Sequence, residues 1–198
     1  ESIFWKVEHP DIKKPSYLYG TYHMINSGFL DERAPKVLKA FKNANTILVE
    51  SRESDPVDPK MMSRYFYESP SISEALTSEE AALVDSICQK QLNSSFSDYD
   101  NAKPILLAVF IGLEYHQQYL ADSGNYEGIP IDKYFDADAT KRGVDVFSLE
   151  KPEESFAFLL DSVKQEDQLQ YLVLNCLHDS AMYRISGIMY ESYKNNDV

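Results

Sequence analysis

Apolar positions along the chain follow two patterns. Short runs rich in β-branched and aromatic residues end at turn signals, which marks strands. They include Phe4-Trp5-Lys6-Val7, Tyr17-Leu18-Tyr19, Thr46-Ile47-Leu48-Val49 and Val144-Asp145-Val146-Phe147. These place strands near 3–8, 16–22, 46–50 and 144–149. Elsewhere apolar residues recur every three to four positions, as on one face of a helix. Val37, Leu38 and Phe41 do so over Pro35 to Asn43. Leu83, Val84, Ile87 and Cys88 do so after Thr77, and Ile131, Tyr134, Phe135 and Ala139 do so up to Arg142. Helical patterning also fills 104–120, follows Pro152, and runs from Gln165 to about Lys194 with a break near His178-Asp179-Ser180.

Punctuation agrees with this layout. Thr77 and Glu80 read as a capping box, Ser71 or Ser73 starts a shorter helix, and Pro59 starts an earlier one. Gly143 suits the end of the helix that closes at Arg142. Asn26 to Asp31 reads as a loop. The expected fold is α/β: a central sheet flanked and covered by helices, with a helical insertion at about 59–120. The strand at 16–22, the helix at 35–43 and the strand at 46–50 form a βαβ unit, which favours a parallel, right-handed pairing. With 198 residues the chain suits a single domain over 1–198.

Three strand ends carry the candidate chemistry. Tyr17-Leu18-Tyr19-Gly20-Thr21-Tyr22-His23 delivers a histidine after a glycine-containing turn, where Gly20 lets the backbone bend or approach a ligand closely. Glu50 and Glu150 each close an apolar run. In open α/β sheets the C-terminal strand ends form the ligand crevice. Imidazole and carboxylate there suit a divalent metal such as manganese, cobalt or zinc. Each feature has a plainer reading beside it. His23 can be a strand-end histidine bonded to a carbonyl, and each glutamate a solvated edge residue. Placed together, His23, Glu50 and Glu150 form a metal-ligand and catalytic set, in which either glutamate is a ligand or a general base. Arg52 reads equally as a carboxylate partner or a surface charge. Asp132 and Asp136, four apart on one helix, read as a solvated helix face. His9, His116 and His178 are given no role.

Charge narrows the partners. The net charge of −13 disfavours nucleic acid and anionic membrane surfaces. No apolar run approaches the ~20 residues of a membrane span. Cys88 and Cys176 fall on helices and read as buried thiols, with one disulfide as the alternative. Serine-nucleophile, phosphate-loop and Cys-x-x-Cys signatures are missing.

Several of these segments also occur, in the same order, in a known family. Leu18-Tyr19-Gly20-Thr21-Tyr22-His23 resembles the first Gly-x-x-His motif of the TraB/PrgY/GumN family, which includes the Tiki metalloproteases. Phe4-Trp5-Lys6-Val7, Ile47-Leu48-Val49-Glu50, Leu76-Thr77-Ser78-Glu79-Glu80, Lys103-Pro104, Gly128-Ile129-Pro130-Ile131-Asp132 and Leu149-Glu150-Lys151-Pro152 match in order. The resemblance implies an α/β fold, a divalent metal and metal-dependent hydrolysis of a peptide or protein substrate. The alternative it implies is a module that binds or sequesters peptides without turnover. The abrupt start at Glu1-Ser2-Ile3-Phe4 is what a removed signal peptide leaves, so a secreted or membrane-anchored extracytoplasmic protein is expected. One departure stands out: the family's second Gly-x-x-His is missing, and Gly112-Leu113-Glu114-Tyr115-His116 has one residue too many. The chain is therefore expected to be an N-terminal portion, inactive alone, with an uncovered sheet edge or face through which a homodimer could form.

Overall fold

The computed structural model describes residues 2–52, 54–56, 65–66 and 70–195. It is a mixed α/β structure with strands at all four expected places. These are β1 (Phe4–Val7), β2 (Ser16–Tyr19), β3 (Thr46–Val49) and β4 (Asp145–Ser148). They pair two by two. β1 and β2 form an antiparallel ribbon, with Trp5 opposite Leu18. β3 and β4 run parallel, with Leu48 opposite Phe147. The expected parallel pairing of the strand at 16–22 with the strand at 46–50 is therefore corrected: β2 takes β1 as its partner. The nearby polar turn at 10–15 lets β1 fold straight back, which closes a far shorter loop than a crossover does.

The chain divides into two compact units. The first comprises residues 1–54, 124–149 and 188–198. It holds both ribbons together with α1 (Gly28–Glu32), α2 (Pro35–Asn43) and α6 (Ile131–Lys141). The stretch read as a loop at 26–31 contains α1, because Phe29 and Leu30 are fully buried and draw the chain into a helical turn. Phe41 of α2 packs on Phe135 of α6 with ring centroids 4.6 Å apart. Ile25, Ala34, Val37, Ile131 and Ala139 complete this core. On the β3–β4 ribbon, Ile47, Val49 and Val146 are half-buried. Leu48, Phe147 and Leu149 alternate to the other face and are 61 %, 55 % and 68 % exposed. A parallel pair normally has both faces covered.

The second unit comprises residues 55–123 and 150–187 and is helical. It contains α3 (Ile72–Ala75), α4 (Ser78–Leu92), α5 (Pro104–Ser123), α7 (Pro152–Asp161) and α8 (Gln165–Leu177). The last helix, α9 (Asp179–Lys194), starts in this unit and ends in the first. Ser71 caps α3 and Thr77 caps α4, each with its glutamate three residues on reaching back to close the box. Ile72, Val84, Cys88, Leu107, Ile111 and Leu172 form its core. Within the expected insertion, the helix begun by Pro59 lies outside the described residues. Among the described residues, no helix is long and apolar enough to cross a membrane.

Candidate functional site

The site is built around the turn after β2. The ladder of the first ribbon continues one step past β2, with the Gly20 N–H donating to the Ile3 carbonyl at 2.9 Å. The chain then leaves the ribbon; the side chains of Thr21 and His23 both bond Asp132, and the Tyr22 ring packs on Tyr193. The conformational freedom of Gly20 is not what the turn uses. Its φ is not in the left-handed region, and a methyl group there would meet only Ile3 at 3.8 Å.

The segment that follows is laced to the approach of α6. Ser27 N–H donates to the Ile129 carbonyl at 2.7 Å, Gly28 N–H to Glu127 at 2.8 Å, and Ile131 N–H to Ile25 at 3.0 Å. Glycine is needed in this lacing. Gly128 has a φ of 98°, and a Cβ on Gly28 would sit 2.9 Å from the Glu127 carbonyl oxygen. The result carries Asp132, in the first turn of α6, to His23.

His23 Nδ1 and Asp132 Oδ2 are 2.6 Å apart. An ionised carboxylate only accepts, so Nδ1 carries the proton. The other ring nitrogen, Nε2, faces Glu50 Oε2 at 3.7 Å. Glu50 is the first residue past β3, so the strand end delivers it as the sequence pattern suggests. The imidazole thus stands between two carboxylates. The hydrogen bond to Asp132 is the main reason that His23 is held above the ordinary histidine range, and Glu50 adds to it. Burial would raise Asp132, but the bonds from His23 and Thr21 outweigh burial and keep it below the usual carboxylate range. The first turn of a helix also favours a negative charge there.

Asp132 is the residue that sequence patterning misplaced. The reading as a solvated helix face is corrected, since its carboxylate closes on His23. Asp136, one turn on, is also engaged: Arg52 Nε donates to its Oδ1 at 2.9 Å. Arg52 further donates to Thr140 Oγ1 at 3.1 Å and to the Val146 carbonyl at 3.3 Å. Of its two sequence readings, the carboxylate partner is the one realised. The usable signal for Asp132 was the segment Gly128-Ile129-Pro130-Ile131-Asp132, whose glycine and proline fix the entry into α6.

Glu150 is half-buried, two residues past β4, and is the first residue of its segment of the second unit. His116 lies in α5, where burial lowers its pKa. His9 accepts from the Asp11 N–H in the turn after β1.

The sequence profile of the TraB/PrgY/gumN family matches residues 3–198. The chain belongs to this family. Searches of curated proteins and of solved structures give no match.

The donor set can be tested against a divalent cation. Zinc ligands stand about 2.0–2.2 Å from the ion, which puts tetrahedral neighbours roughly 3.4 Å apart. The 3.7 Å between His23 Nε2 and Glu50 Oε2 is close to that span. Asp132 on the opposite nitrogen is the acceptor that metal-bound histidines commonly have. The fit extends to two ligands. Among the described residues, no group of three or more His, Cys, Asp or Glu converges as a metal site.

Proposed function

We propose that this member of the TraB/PrgY/gumN family is a metal-dependent hydrolase of peptides or proteins. His23 Nε2 and Glu50 would hold manganese, cobalt or zinc. One observation carries the reading: the imidazole is bonded at Nδ1 to Asp132 and turns Nε2 toward a second carboxylate. Asp132 keeps a proton on Nδ1, so that Nε2 is the nitrogen that ligates once it gives up its own proton. A bound divalent ion would supply Lewis acidity and lower the pKa of a water. Glu50 stands where it can ligate or accept a proton, and Glu150 stays a candidate general base on its strand-end position alone. The remaining ligands would come from water, substrate or a further protein segment.

The experiment is cleavage of a mixed peptide library by metal-depleted protein, with manganese, cobalt or zinc added back. Cleavage restored by one metal, and lowered at least 100-fold in His23→Ala and Glu50→Gln, is the expected result. No metal-dependent cleavage contradicts it. The two-ligand set also favours a second reading, a module that binds peptides without turnover. Peptides retained intact by the loaded protein would select that reading.

A further inference from the structure

The turn that carries His23 is clasped by one side chain from the other end of the sequence. Tyr193, in the last turn of α9, is only 9 % exposed. Its hydroxyl lies 2.9 Å from the Gly20 carbonyl oxygen and 2.7 Å from the Tyr19 hydroxyl. The Tyr22 backbone N–H also bonds to it. A phenol has one proton to give and two lone pairs to offer. The Gly20 carbonyl can only accept, so a proton donated there leaves the lone pairs for the Tyr22 N–H and the Tyr19 O–H. All three capacities of the hydroxyl are then used within the turn. The ring packs on Tyr22 and Phe29, with centroids 5.6 and 5.5 Å away. Burial keeps the phenol far above its usual range, so it remains neutral and does no acid–base chemistry.

We propose that Tyr193 is a positioning residue for His23. Its hydroxyl holds the backbone of Gly20 and Tyr22 from one point, and so sets the direction in which the next residue presents its imidazole to Asp132 and Glu50. The consequence for metal rests on the hydrolase reading; the effect on His23 itself does not. A plainer role, in which the hydroxyl only satisfies buried backbone groups, predicts lost stability with an unchanged imidazole.

Tyr193→Phe tests this, with Tyr190→Phe as its control. Tyr190 lies one turn earlier in α9 and bonds the Gly124 carbonyl at 3.1 Å, away from the turn. Two NMR readouts are taken on metal-free protein: amide exchange at Tyr22, and the Nδ1 proton of His23, which its short bond to a carboxylate shifts far downfield. Tyr193→Phe is expected to speed Tyr22 exchange about ten-fold, the loss of roughly one hydrogen bond, and to broaden away the Nδ1 proton. Tyr190→Phe should leave both unchanged. Identical behaviour of the two variants, or faster Tyr22 exchange with the His23 Nδ1 proton unchanged, overturns the proposal. If Tyr193→Phe does not fold, Tyr19→Phe, which removes one partner of the same hydroxyl, takes its place: a His23 Nδ1 proton that broadens supports the clasp, and one left unchanged overturns it. Calorimetry with manganese separates the two ideas. Affinity lost in Tyr193→Phe and kept in Tyr190→Phe supports both. A wild type that binds no manganese counts against the hydrolase reading alone, and the metal-free readouts still decide the role of Tyr193.

Discussion

His23 and Asp132 depend on one another, and the dependence has a sign. Asp132 raises His23 above its ordinary value of 6.5, so this contribution to stability is full below 6.5 and fades as pH climbs through the raised value. His23 and Thr21 lower Asp132 below 3.8, so that contribution is full above 3.8 and fades as pH falls through the lowered value. The pair therefore supports the fold most between about 4 and 6.5. Asp132→Asn keeps the shape and removes the charge. In that variant His23 should titrate closer to its ordinary value, followed by the ring proton shifts in NMR. An unchanged titration would mean that Glu50 or the turn itself sets the shift. Why Asp132 escaped the sequence pattern is plain at this scale. Helical spacing tells which face a residue occupies, but whether that face meets water or a strand-end turn is a long-range fact.

At the scale of elements, local signals were legible and partners were not. The capping boxes at Ser71 and Thr77, the break between α8 and α9, and the positive φ of Gly143 at the end of α6 each answer to residues within one turn of chain. The pairing of β3 with β4 joins residues about a hundred positions apart, and nothing local in Thr46–Val49 names that partner. Likewise, the two sequence readings of Arg52 could be separated only by knowing that α6 and β4 come to it. Arg52 ties the segment after β3 to α6, and so links the element that brings Glu50 to the one that brings Asp132. Both Arg52 and Asp136 are largely shielded from water, with side chains 24 % and 20 % exposed. Arg52→Ala leaves Asp136 without its guanidinium and is expected to cost about 1–3 kcal/mol in denaturant unfolding. A cost below about 0.3 kcal/mol would show that the clamp is a surface pair.

At the scale of the whole molecule, acidity, buried thiols and the family assignment bear on different questions. The net charge of −13 argues against polyanionic partners and says nothing about catalysis. Cys88 and Cys176 are free and buried, as their helical positions suggested, and burial raises them to about 11 and about 12. Neither thiolate is accessible in the native state, so both should react with a thiol reagent only as fast as the helical unit opens. Labelling at the rate of a free cysteine would contradict that burial. On the proposed function, a divalent ion would sit on His23 and Glu50. The direct measurement is NMR of the four histidine rings while manganese is added below one equivalent. The ring signals of His23 should broaden first, with those of His9, His116 and His178 unaffected, and Glu50→Gln should remove the effect. Broadening that spares His23, or that persists unchanged in Glu50→Gln, would contradict the account.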